Sequence, residues 1–407
     1  MKDRTMSVFG SGRTAIWRLT AAQALVGAHS TTIFATGAVL GAKLAPQASL
    51  ATLPVSIFMA GMAGSTLPSG VVAERYGRSA VFTIGAILGV SSGLLGAYAI
   101  MVESFALFCT ATLLAGAFAA IGMSFRFAAA ESVPPEAKSR ALATVLAGGV
   151  ASGLLGGELA SATMNAVPGH EFVGTYLAAT VTAFLAGMML FGVGGKGEVF
   201  TDHGEGRPLP QIMRQPLFLV AVTTGAIIYL LMNFLMTSAP LAMRMHGMAQ
   251  HHANTAVQWH VVAMYAPSFV VGWLISRLGA SWITASGLVI TGLAAIIGLT
   301  GETHMHFLLC LIFLGIGWNF GFAGSSSMIL DTHRPEERAR VQSVNDFIVF
   351  GTVMVGSFLS GGVLTTYGWY VVCWLAFPPL VIALVALALF QRGSSTASIA
   401  LQRCSIE

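Results

Sequence analysis

Four ionisable side chains stand inside stretches of sequence that are otherwise apolar: His29, Arg126, Glu158 and Asp346. A charge at the centre of a membrane helix costs about 2.5–3.5 kcal/mol on insertion scales, so each of these groups needs a reason to be there. A carboxylate can bind and release a proton. An arginine can hold an anionic or carbonyl-bearing solute, or pair with that carboxylate. An imidazole titrates near neutral pH. Asp346 follows Arg340 by six residues, about 9 Å along a helix, which sets it just inside its apolar stretch and makes a contact with Arg126 conceivable. The plainer readings are a helix-start carboxylate satisfying backbone amides with Asn345, an arginine reaching out to lipid phosphates, and a hydrogen-bonded buried imidazole. Glu158 lies near the end of its stretch, where water is close.

A second set is neutral. Tyr229, Asn233 and Thr237 recur at i, i+4 and i+8, so they share one helix face, and Trp318-Asn319 offers an indole beside a second amide. Rings stack on a flat solute while amides fix its orientation. Such a stripe also serves helix packing. Phe118, Gly122 and Arg126 form another stripe, whose counterparts two hundred residues on read Trp318, Phe322 and Ser326. Gln23 and His29 lie about 120° apart around one helix, so both are not expected on the same wall. His260 is a further imidazole candidate. His246, His251, His252, His304 and His306 cluster between apolar stretches, yet no carboxylate or cysteine joins them at ligand spacing, and no metal or cofactor is expected.

The elements that must position these residues follow from composition. Of 407 residues 55% are apolar and 9% charged, against about 25% charged in ordinary globular chains. A helix needs about 20 apolar residues to cross a hydrocarbon core of about 30 Å. Twelve such stretches occur, near 17–40, 49–72, 79–101, 105–128, 141–164, 172–193, 216–239, 255–276, 280–301, 306–329, 342–365 and 369–391. The first is too long for a signal-peptide core and is read as retained. The apolar runs are continuous and do not alternate, which selects helices over barrel strands. The expected fold is an all-α membrane protein of twelve transmembrane helices. Its 47 glycines suit close helix approach, with Gly85-x-x-x-Gly89 and Gly149-x-x-x-Gly153 as examples. With both termini on one side, all but Lys43, Arg126 and Arg244 of the 20 Lys and Arg residues fall in segments on that side. The positive-inside rule makes it the cytoplasm. The net charge of +4 therefore reflects topology and implies no nucleic-acid partner. The four cysteines suggest no disulfide framework.

The chain also repeats itself. Pro135-Glu136-Ala137-Lys138-Ser139-Arg140-Ala141 returns as Pro335-Glu336-Glu337-Arg338-Ala339-Arg340-Val341, and Glu131 ahead of the first copy returns as Asp331. Gly70-x-x-x-Glu74-Arg75-Tyr76-Gly77-Arg78 is echoed by Gly272-x-x-x-Ser276-Arg277-Leu278-Gly279. A parallel repeat in a hydrophobic chain implies two pseudo-symmetric six-helix bundles with a solute site between them. Residues 1–193 and 216–407 are the expected bundles. Residues 194–215, polar and rich in glycine and proline, are the expected irregular cytoplasmic linker, and the tail is short.

Gly70-x-x-x-Glu74-Arg75-x-Gly77-Arg78 resembles the loop between helices two and three of the major facilitator superfamily, with Glu for the usual Asp and Ser79 for a final basic residue. The resemblance implies that Glu74 faces the start of helix eleven, where the helix dipole favours an anion, and that Arg78 pairs with Glu131. Arg75, Arg140 and Arg340 belong to the same cytoplasmic gate, and Arg277 with Asp331 is its weaker copy. It also sets helices one, four, seven and ten beside the central cavity, which makes Gln23, His29, Phe118, Arg126, Tyr229, Asn233, Thr237, Trp318 and Asn319 candidate solute contacts. Asp346, His29 and Glu158 are candidate proton carriers. The function implied is alternating-access transport of a small organic solute by a monomeric, multi-pass inner-membrane carrier that is not an enzyme, with protons as a candidate second partner. Some members of broadly similar appearance take up riboflavin, and the aromatic–amide lining is compatible with that. Proton-coupled drug export is a second reading. Against it, Gly149-x-x-x-Gly153-x-x-Gly156-Gly157-Glu158 lacks the Gly-Pro of the antiporter motif in helix five. A membrane sensor that keeps the fold without turnover is a third.

Overall fold

The computed structural model describes residues 2–125, 128–129, 132–133, 138–193, 206–334 and 337–404. Side chains are described for these except at 2–12, 67, 74, 138–140, 142–143, 338–339, 343 and 393–404. All regular structure among them is helical. The first half comprises α1 (Lys2–Leu44), α2 (Leu53–Tyr76), α3 (Arg78–Met101), α4 (Phe105–Met123), α5 (Lys138–Thr163) and α6 (Val173–Leu190). The second comprises α7 (Pro216–Met245), α8 in two segments (Gln250–Tyr265 and Ser268–Leu278), α9 (Ala280–Thr300), α10 (His304–Leu330), α11 (Arg338–Trp374) and α12 (Phe377–Cys404).

Ten helical runs are long and apolar enough to cross a membrane, and α8, bent by 41°, makes an eleventh. One of the ten spans 53 residues, Arg340–Arg392, about 80 Å or roughly twice what one crossing needs. It is broken at Gly368 (φ 81°, ψ 177°), so it supplies two crossings and completes twelve. The α8 bend follows from Pro267, which has no N–H to continue the helical ladder.

Within the first half α1 packs on α5 and α6, α2 on α4, and α3 on α4 and α6; adding six to each label gives the packing within the second half. The halves meet through α5 with α8 and α2 with α11, two contacts exchanged by the same repeat, and through α1 with α7. The duplicated loop glycines adopt one backbone shape, Gly77 at φ 82°, ψ 165° and Gly279 at φ 88°, ψ 150°. That left-handed region is open to glycine at little cost.

The two ends of the molecule differ. At the end opposite the linker, hydrogen bonds run between the halves from Gln250 Nε2 to the Ala35 carbonyl (3.2 Å) and from Asn254 Nδ2 to Ser161 Oγ (3.1 Å). From mid-helix toward the linker end Gly64 and Gly70 of α2, Gly272 of α8 and Gly351 of α11 have no neighbouring atom where a side chain would begin. The far end is thus held closed by bonds between the bundles.

Candidate functional site

A cavity of about 90 Å³ lies between the halves, walled by α1, α2, α4 and α5 on one side and α7 and α8 on the other. Its lining has three components. Six methionines contribute: Met59, Met62, Met123, Met232, Met236 and Met264. Aromatic rings come from Phe34, Phe58, Tyr229 and Tyr265. The polar groups are Gln23, Ser30, Thr31 and Ser152 beside the two tyrosines. No ionisable group other than the phenols lines the cavity among the described residues. Thioethers adapt their shape and make favourable sulfur–ring contacts, so this wall suits a planar aromatic guest. Ser30, Thr31 and Ser152 each donate to a carbonyl of their own helix (3.1, 2.9 and 2.6 Å), and so offer lone pairs to a guest. Half-buried Gln23 brings both an amide N–H and a carbonyl.

Behind this wall stands an aromatic cluster on the second bundle. Tyr229 meets Trp318, Phe322 and Phe350 edge-on at 5.5, 5.3 and 5.6 Å between centroids, and Trp318 stacks on Phe322 at 5.2 Å. Trp318 also reaches Tyr265, at 6.4 Å. Gly149 on α5 makes room for that tyrosine, since a Cβ there would come within 2.5 Å of its ring. Of the expected solute contacts, Gln23 and Tyr229 line the cavity, while Trp318 supports Tyr229 from behind. Asn233 is fully buried one turn beyond Tyr229 and accepts a long bond from Thr237 (3.4 Å). Asn319 donates to the Met264 carbonyl and to Ser268 Oγ, both at 2.7 Å. It thus clamps the bend of α8, where the helical ladder is interrupted. Both amides belong to the second bundle, so contact from the first falls to Gln23 and the α1 and α5 hydroxyls.

His29 is not on the cavity wall. Its ring is enclosed in the first bundle, hydrogen-bonded to the Ala179 carbonyl and to Ser92 Oγ (both 3.1 Å), with Phe118 edge-on at 5.6 Å. Phe118 is buried there as well. His260 turns away too, toward the Leu311 carbonyl on α10 (2.7 Å). Glu158 is exposed on the surface of α5 beside Leu154 and Leu155. Asp346 is half-buried in α11 and accepts from Asn345 Nδ2 (3.0 Å). Arg126 and Glu131 lie outside the described residues. At the far end His251, His252 and His304 touch in series, with centroids 4.0 and 4.4 Å apart. Among the described residues no group of three metal-ligating side chains could hold an ion.

At the linker end Arg75 is exposed and Arg78 half-buried, while the side chains of Glu74 and Arg140 lie outside the described residues. Arg277 lies over Trp273 (5.0 Å), and neither it nor exposed Asp331 takes part in an ion pair with the other. Arg340 donates to the Arg207 carbonyl (2.7 Å). That contact belongs to a clasp that residue spacing did not reveal. Glu337 is fully enclosed and takes the Arg207 guanidinium in a two-pronged pair (2.9 and 2.7 Å), with the Arg207 and Arg334 N–H groups at 2.8 and 2.9 Å. The Thr332 carbonyl accepts from both Arg207 (3.0 Å) and Gln215 (3.1 Å). Residues 206–215, expected to be irregular, are therefore fastened to the second bundle and include a short helix, Leu209–Met213.

The Arg207 bonds, followed by the Arg334 N–H, hold the Glu337 carboxyl well below the usual carboxylate range. A depressed carboxylate contributes stability that is present above its unfolded pKa of about 4.3 and is lost only as pH falls through the lower folded value. Hydrogen exchange of residues 206–215 should therefore not change between pH 5 and 8 once intrinsic rates are corrected, and should accelerate in Glu337→Gln. Exchange that rises toward pH 5 in the wild type, or a variant that matches the wild type, would remove the clasp.

The family model of the Major Facilitator Superfamily matches residues 19–266 and 224–401. The riboflavin transporter RfnT of Brucella anthropi is 41% identical over 383 residues, which cover 93% of this chain and 96% of that protein. The uncharacterised MFS-type transporter YdeG of Bacillus subtilis is 27% identical over 351 residues, 80% of this chain and 81% of its own. Among solved structures, the nucleoside transporter NupG superposes with a TM-score of 0.72 at 12% identity, covering 92% of this chain and 99% of NupG. A bacterial homologue of the iron transporter ferroportin, in its outward-facing state, gives 0.62 at 16% identity over 93% of this chain and 99% of its own.

Proposed function

The chain belongs to the Major Facilitator Superfamily and is a transmembrane transporter of a small organic solute; from that premise we propose that the solute is riboflavin or a closely related neutral flavin. The supporting observation is the cavity wall, where six thioethers and four rings face a space with no ionisable group besides phenols among the described residues. A flat ring system can lie among them, while Gln23 and the α1 and α5 hydroxyls meet its polar edge and side chain. A phosphorylated flavin would bring into this site a charge with no described counter-ion, at a desolvation cost of several kcal/mol. The 41% identity to a riboflavin transporter over nearly the whole of both chains points the same way.

The proposal has the linker end facing the cytoplasm of a bacterial-type inner membrane, with both termini inside, in keeping with the positive-inside rule. Residues 1–193 and 216–407 then rock about the cavity, and the far end, closed in the conformation described, is the outer gate. Arg78 with Glu131, and Glu74 at the start of α11, are the contacts proposed for the inner gate. The protein acts as a carrier and not as an enzyme, and protons drive accumulation. Expression in a bacterium unable to make riboflavin should restore growth on micromolar riboflavin, and labelled flavin should enter proteoliposomes. Binding without flux would return the sensor reading. Absence of both, with protonophore-sensitive efflux of unrelated aromatic compounds, would return drug export.

A further inference from the structure

Thr52 immediately precedes α2, in the position where a threonine ordinarily accepts a hydrogen bond from the first N–H groups of its own helix. It makes no such bond. Its hydroxyl instead reaches across to the other bundle, donating to the Ser357 carbonyl and accepting from the Gly361 N–H, both at 3.0 Å. Residues 357 and 361 are i and i+4 in α11, the two groups that an α-helix pairs with each other. The side chain of one bundle thus bridges the two ends of one rung in the backbone ladder of the other. Ser360 Oγ also donates to the Ser357 carbonyl (2.7 Å), so both lone pairs of that oxygen are used.

Close approach is possible only because residue 361 is glycine, where a Cβ would come within 2.4 Å of Thr52 Oγ1. Thr52, Ser357 and Ser360 are fully enclosed. The contact lies at the closed far end, where the short helix Ala48–Leu50 also packs on α11.

We infer that Thr52 is the key of the outer gate. With the far end closed, its hydroxyl occupies the α11 ladder. When the halves part, the hydroxyl returns to cap α2, and the Ser357 carbonyl and Gly361 N–H pair with each other. The Thr52 hydroxyl, the Ser357 carbonyl and the Gly361 N–H then each have a partner in both states, so opening exchanges their hydrogen bonds and does not expose them. A buried ion pair could not be exchanged in this way, because its separation would strand charge. The inference needs only the alternating motion of the family, and it stands whatever the solute.

The test uses the full-length protein in lipid nanodiscs, with native cysteines replaced and spin labels on Val102→Cys and Met305→Cys. Both sites are exposed at the far end, on α3–α4 and on α10. Thr52→Val keeps the shape and removes the hydroxyl, so the closed state alone loses the bonds between the bundles, while Ser360 still donates to the Ser357 carbonyl. The ratio of far-end-open to closed distances should rise about tenfold, as expected for loss of one net buried hydrogen bond. Thr52→Ser should match the wild type. Gly361→Ala approaches the contact from the other side and should shift the distances in the same direction. Wild-type distance distributions in both Thr52→Val and Gly361→Ala would overturn the inference. The readout requires no solute, so failure of the riboflavin reading would leave it unaffected.

Discussion

Tyr229→Ala is expected to weaken flavin binding by about ten- to a hundredfold, while Tyr229→Phe should stay within about threefold of the wild type. Aromatic stacking against a flat heterocycle is worth roughly 1–3 kcal/mol by alanine substitution. Tyr229 is the point where the cavity meets the cluster of Trp318, Phe322 and Phe350. Its removal takes away a contact with the guest and also leaves three rings without their common neighbour. The phenylalanine variant keeps the ring and its edge contacts, so its small effect separates stacking from hydroxyl chemistry. Flavin fluorescence quenching by purified protein measures the affinity directly. Folding is monitored independently by thermal melting and by size-exclusion elution. Equal affinity in Tyr229→Ala and wild type would move the solute away from α7 and leave Tyr229 as a packing residue.

Much of this architecture was legible in the residues because its causes are local. Twelve apolar runs, the duplicated Gly-x-x-x-Glu-Arg and Pro-Glu patterns and the charge asymmetry each act within a loop or a helix, and Gly77 and Gly279 share a backbone conformation that explains why the glycine recurs. The six cavity methionines were not legible, because lipid-facing and cavity-facing apolar residues look alike along a membrane helix. The separation of Gln23 from His29 follows from six residues of helix rotation, yet which of them meets the cavity depends on how α1 sits against α3, α6 and α8. The Arg207–Glu337 clasp joins residues 130 positions apart, and a polar segment with glycines and prolines gives no local sign of it. Thr52 was hidden for the opposite reason. Its place before Leu53-Pro54 reads as an ordinary helix cap, and only the structure reveals that its hydroxyl is used elsewhere.

Among the three groups considered for coupling, geometry favours Asp346, so Asp346→Asn should abolish accumulation against a gradient while leaving exchange intact. His29 has both ring nitrogens engaged, by the Ala179 carbonyl and Ser92, in a sealed pocket of one bundle. Proton traffic there would have to break that packing, and His29→Gln should lower stability more than coupling. Glu158 stands on the outer surface of α5 beside leucines, apart from the cavity lining. Asp346 is half-buried toward the linker end of α11, the helix whose other end receives Thr52. A proton gained or lost there acts on an element that both gates share. One coupled proton per solute at a gradient of one pH unit supports about tenfold accumulation, which Asp346→Asn should reduce to near unity. Counterflow of labelled against unlabelled flavin, which needs no net proton movement, should continue at a rate within a few-fold of the wild type. The assay is vesicle uptake with and without an imposed pH gradient for the wild type, Asp346→Asn, His29→Gln and Glu158→Gln. Gradient-driven accumulation that survives in Asp346→Asn would reject this carboxylate. A wild type insensitive both to the gradient and to a protonophore would reject proton coupling and leave a facilitator, in which Asp346 serves only to order the start of α11.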